Sequence, residues 1–174
     1  PWTGQHTAEL VTWIENKQLT LTASISTHFH EDRSGGINLL NKKGIKTYAT
    51  EATNQLLKKK SAALATNLLA PINDSLFYQQ IETYYPGGGH SHDNIAIWLP
   101  AHQLLYGGCM VRSSSSKTLG NTADADVQAW PHSIEKLIHR YATTKMVLPG
   151  HGQMGDKSLL EHTKQLALTK RPVN

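Results

Sequence analysis

Leu10, Val11 and Ile14 recur at helical spacing in TAELVTWIENK, residues 7–17, and predict an amphipathic helix. LTLTASIST, residues 19–27, then alternates as a strand does, which sets His28 at or just past a strand end. GGINLLNKKG reads as a short helix stopped by Gly44, and IKTYA as a short strand. Thr50 is placed to cap a helix running through Lys60. LFYQQIETYY predicts strands of a meander that ends in the turn PGGG at 86–89. NIAIWL and HQLLYG are two apolar strands joined by Pro100-Ala101, and TKMVLP is a buried strand. ADVQAWPHSIEKLIHRY carries a helical period that is interrupted or begun afresh at Pro131, and 158–170 predicts a last helix. Strands alternating with helices give an α/β class. No repeat, low-complexity segment or linker divides the chain, so residues 1–174 read as a single domain.

Composition narrows this picture. A chain of 174 residues, 39% apolar and 17% charged, can bury one sizeable core. The net charge of +4 is spread along the chain. Its densest group, LKKK at 57–60, is the polar end of a helix, and no aromatic residues interleave it, which argues against a nucleic-acid partner. No run approaches the ~20 apolar residues of a membrane helix. The start at Pro1-Trp2, without an initiator Met, reads as a mature, trimmed or truncated terminus. The single cysteine, Cys109, excludes an internal disulfide; such a residue is a buried small hydrophobe, a nucleophile or a metal ligand.

Four places combine ligand chemistry with a strand end or a glycine turn. They are His28, His30 and Asp32 in STHFHEDRSGG, His90 in GGGHSHDN, Cys109 in LLYGGCM, and His151 in VLPGHG. Were residues 28–32 extended, alternation would send His28, His30 and Asp32 to one side. Imidazole, carboxylate and thiolate are zinc's preferred donors, and glycine lets backbone approach an ion without a Cβ in the way. Six ligands exceed one tetrahedral zinc, whereas two metals with three protein ligands each accommodate them, with a water or hydroxide between. A hydrolase follows. His6, His102, His132, His139 and His162 are assigned to surface or hydrogen-bonding roles.

The stretches HFHED, GGGHSHDN, LYGGCMVRS, TLGNTADAD and VLPGHG stand in the order, and at spacings compatible with those, of the class B metallo-β-lactamases. The whole chain resembles the subclass whose second zinc site contains a cysteine. Arg33 stands where the wider superfamily has a further His, and Cys109 where many relatives have a bridging Asp. Both features favour these lactamases over glyoxalase-type thioesterases.

The resemblance implies two Zn2+ per chain. His28, His30 and His90 would hold the first, and Asp32, Cys109 and His151 the second. His92 lies two residues from His90 and competes with it, and the family pattern Gly-His-x-x-Asp-Asn selects His90. The implied reaction is attack of a metal-bound hydroxide on the β-lactam carbonyl, which confers antibiotic resistance. Asp32 would orient the nucleophile, Asn121 would stabilise the oxyanion, and Arg112 would bind the substrate carboxylate, where a lysine is common in the family. Against these roles, Arg112 also fits a solvated strand-end charge, and Asn121 a turn residue bonding its own backbone. The SSSS run at 113–116 reads as a polar loop, and no Gly-x-Ser-x-Gly elbow exists in the chain.

The implied fold is a four-layer αβ/βα sandwich whose first strands precede the helix at 7–17. The recorded chain is therefore expected to be N-terminally partial, and, expressed as written, poorly soluble or inactive for want of those strands. The implied setting is the periplasm, with a small-molecule β-lactam as partner, no nucleic acid, no membrane and a monomeric state. Two alternatives stand beside it. One is a dizinc hydrolase of a thioester, lactone or other ester; the other is an inactive metal-binding fragment.

Overall fold

The computed structural model describes residues 2–70, 73–76 and 80–170, with backbone alone for 73–76. They fall into two compact units, Pro1–Ala70 and Pro71–Asn174.

The first unit opens with α1 (Gly4–Asn16), which begins three residues before the predicted start because Thr3 accepts a capping bond from His6 N at 3.1 Å. Three parallel strands follow, in the order β1 (Ala23–Ile25), β2 (Lys46–Thr50) and β3 (Asn67–Leu69). Two short helices, α2 (Glu31–Ser34) and α3 (Ile37–Lys42), connect β1 to β2, and α4 (Glu51–Lys59) connects β2 to β3. Thr50 caps α4 as expected, accepting from Thr53 N at 3.1 Å. β1 is much shorter than the alternation of 19–27 suggests. It is paired only where β2 faces it, Ala23 to Lys46 through Ile25 to Tyr48, and Leu19 stays exposed. The core of this unit gathers Phe29, Ile37, Ala49, Leu57 and Ala65.

The second unit is a five-stranded sheet in the order β4 (Asn73–Leu76), β5 (Ile81–Tyr84), β6 (Ala96–Leu99), β7 (Leu104–Gly108) and β8 (Met146–Pro149). β4 to β7 form the antiparallel meander; residues 77–79 of LFYQQIETYY lie outside the described residues. β8 runs parallel to β7, as a crossover through α5 (Trp130–Arg140) allows. Pro131 sits in the first turn of α5, so the helix starts there instead of being interrupted. α6 (Ser158–Lys170) closes the unit. Trp130, Ile134, Leu137, Leu105, Val147 and Leu160 lead its core. Among the described residues no helix is long and apolar enough to cross a membrane.

Candidate metal centre

In the first unit the chain bends sharply after β1. Residues 28–32 form no strand, a bend leading into α2 instead, so alternation is not what gathers their side chains. His30 caps α2, its carbonyl accepting from Arg33 N and Ser34 N at 3.0 Å each, and Asp32 lies within the helix. Ser34 Oγ adds bonds to the carbonyls of Phe29 and His30 at 2.9 and 3.0 Å. This local capping outcompetes an extended strand. It still brings the donors together: His28 Nε2 lies 3.8 Å from Asp32 Oδ1, four residues on. The His28 and His30 rings meet edge to face, centroids 4.8 Å apart. His28 is 1% exposed, and Thr27 Oγ1 stands 3.3 Å from its Nδ1, which leaves Nε2 on the Asp32 side. The ligand atoms of His28 and His30, and those of His28 and Asp32, lie within 4.8 Å of one another.

Arg33, noted in the sequence only as a departure from the superfamily pattern, holds Asp32 from the far side. Its Nη1 donates to the Asp32 carbonyl at 2.9 Å and lies 3.3 Å from Oδ2. The carboxylate therefore has one oxygen toward His28 and the other toward a guanidinium.

In the second unit His90 follows β5 on a loop whose three glycine carbonyls are each bonded. Asn94 Nδ2 donates to Gly87 O at 3.0 Å, Ser133 Oγ to Gly88 O at 2.7 Å, and Asp126 N to Gly89 O at 2.9 Å. Asn94 Oδ1 also accepts from Ser91 N at 3.0 Å. These partners hold His90 inward, 9% exposed, with its ring edge-on to Trp130 at 6.1 Å. His92 faces solvent.

Cys109 lies immediately past β7 and is 3% exposed. Gly108 before it takes φ 55°, the left-handed conformation that suits glycine, and a register shift at Tyr106/Gly108 bends the strand end. Gly150, just past β8, donates to Gly108 O at 2.6 Å. A Cβ on Gly150 would stand 2.7 Å from Cys109 Sγ and 2.6 Å from Cys109 N, so only glycine lets the two strand ends close on the thiol. Trp130 Nε1 donates to Met110 O at 2.8 Å, fixing the residue after Cys109. His151 is exposed beside Gly150 and joins no group of three ligand atoms within 4.8 Å of one another among the described residues.

Arg112 is half-buried three residues after Cys109, with its guanidinium against Gly120. Asn121 is exposed, and its Oδ1 accepts from Ala123 N at 3.0 Å, the turn role weighed in the sequence. Its Nδ2 is left to donate. The histidines assigned to other roles sit accordingly: His6, His102, His132 and His139 are exposed, and His162 Nε2 donates to the Ser116 carbonyl at 2.9 Å.

The donor sets suit zinc. Two imidazoles and a carboxylate cluster in the first unit, and a buried imidazole and a buried thiol at strand ends in the second. A family model described as the metallo-beta-lactamase superfamily matches residues 3–151. A metallo-beta-lactamase type 2 of Bacillus sp. (strain 170) is 45% identical over 167 residues, covering 95% of this chain and 65% of that protein. The chain thus spans somewhat less than two thirds of that relative's length. Among solved structures, DIM-1 metallo-beta-lactamase exposed to ceftazidime shares 45% identity at a TM-score of 0.96, covering 98% of this chain and 78% of that one. FIM-1 metallo-beta-lactamase of Pseudomonas aeruginosa, in its mono-zinc form, shares 32% identity at a TM-score of 0.92, covering 97% and 76%. The α/β fold is the one these proteins share, and the chain belongs to the metallo-β-lactamase superfamily.

Proposed function

We propose that residues 1–174 act as one functional domain that hydrolyses the amide bond of β-lactams with two zinc ions. The packed His28–His30–Asp32 cluster, in a chain of this superfamily, is the observation that carries the proposal. The family match crosses from the first unit into the second, which supports one functional domain. His28, His30 and His90 would hold the first zinc, and Asp32, Cys109 and His151 the second. Zinc bound there supplies Lewis-acid chemistry, polarising a carbonyl and making water nucleophilic near neutral pH.

The chain's own residues do the rest. Asp32, clamped by Arg33, orients the attacking water and accepts its proton at a carboxylate oxygen. The water oxygen bonds to the lactam carbonyl carbon, the carbon–nitrogen bond breaks, and the proton passes to the departing nitrogen. Asn121 Nδ2 donates to the developing oxyanion, while the Ala123 bond to its Oδ1 sets the amide's orientation. Arg112 offers a planar two-pronged donor to the carboxylate beside that nitrogen. Resistance to antibiotics follows if the enzyme works in the periplasm, where the cell-wall targets of β-lactams lie.

A substrate panel tests the reaction class. Carbapenem opening that EDTA abolishes and zinc restores is expected. Turnover of a thioester or lactone without β-lactam opening would transfer the protein to the ester hydrolases of the superfamily. Bound zinc without turnover of either would leave a metal-binding fragment.

A further inference from the structure

The buried face of α6 carries Leu159, Leu160, Thr163 and Ala167. Three are apolar, and Thr163, 0% exposed, is the exception. A buried hydroxyl needs a partner, and Thr163 Oγ1 has the local one, donating to Leu159 O at 2.7 Å. That bond uses its single proton. The oxygen then accepts from Arg112 N at 2.8 Å, from a residue 51 positions earlier in the chain. Packing alone would be served by valine, which has the same shape.

The Arg112 guanidinium rests against Gly120. Its Nη1, Nη2 and Cζ lie 3.4, 3.4 and 3.5 Å from where a Cβ on Gly120 would stand. Its Nε is buried without a hydrogen-bond partner. Val111 and Ser113 on either side are buried, so Arg112 alone of the three reaches toward solvent. Anchoring the backbone beneath a half-buried guanidinium stem removes freedom the side chain would otherwise lose on binding, which lowers the ordering cost of holding an anion.

We propose that Thr163 is a positioning residue: its hydroxyl fixes the backbone of Arg112 and thereby sets the affinity for the carboxylate of the substrate. This rests on the β-lactamase reading given above for Arg112. It involves no contact between Thr163 and substrate.

The test compares Thr163→Val with Thr163→Ser in the zinc-loaded protein, using a carboxylate-bearing β-lactam and amide hydrogen exchange at Arg112. Thr163→Val is expected to speed exchange at Arg112 and to raise KM roughly five- to tenfold, the scale of one hydrogen bond, with kcat little changed. Thr163→Ser keeps the hydroxyl and is expected to restore both. In an Arg112→Ala background, Thr163→Val should add nothing further to KM. Equal losses in kcat and KM, an unrescued Thr163→Ser, or a KM effect that persists without the Arg112 side chain would overturn the proposal. If the wild-type protein opens no β-lactam, the substrate reading fails by itself. The anchoring claim is then decided by exchange, and an unchanged Arg112 amide in Thr163→Val overturns it.

Discussion

Replacing His90 with alanine is expected to lower β-lactam hydrolysis by at least about a hundredfold, whereas His92→Ala should cost far less. Loss of even an outer partner of a metal ligand typically costs ~10–100-fold, and His90 is proposed as a ligand itself. The two histidines are two residues apart, and burial separates them. His90 is turned inward on a loop whose glycine carbonyls are tied to Asn94, Ser133 and Asp126, while His92 faces solvent. Steady-state rates and zinc content of both folded variants decide the matter. Comparable zinc loss in the two would reverse the choice of ligand.

Cys109→Ser is expected to weaken the second zinc by about tenfold or more and to leave the first largely filled. Thiolate is a soft, charged ligand, and a serine hydroxyl at neutral pH is neither. The thiol is also tightly framed: Gly150 closes on Sγ from β8, and Trp130 holds Met110 O next door. An oxygen in that place has a shorter bond to Cβ and the same walls around it. Zinc content measured at low free zinc reads the result, and two filled sites there would contradict the assignment of Cys109.

Most helices and the sheet-forming runs of the second unit are legible in the sequence because their patterns are local. The Thr50 cap of α4 follows from residue type alone, and Pro131, which the sequence reads as an interruption or a start, lies in the first turn of α5. What fails is whatever depends on a distant partner. β1 begins no earlier than Ala23 because the residues that would face 19–22 lie in α3 and the turn before β2, and nothing within LTLTASIST reveals that limit. β3, a three-residue strand in TNLLAP, is too short to show a period and exists because β2 pairs with it. The donors His28, His30 and Asp32 are evident from their types and spacing, but their grouping comes from helix capping and not from strand alternation. The partners that fix the site are less legible still. Ser133 reaches Gly88 across 45 residues and Thr163 reaches Arg112 across 51, and neither pair carries a motif. Asn121 shows the opposite limit, where a turn role evident in the sequence is compatible with donation from its free Nδ2.

A zinc titration of the metal-free protein, with bound zinc and β-lactam turnover read in the same sample, tests the central claim most directly. Hydrolysis that grows with zinc and levels off near two ions per chain is the predicted result. Two ions bound with no β-lactam opened, or turnover unaffected by removing zinc, would contradict it.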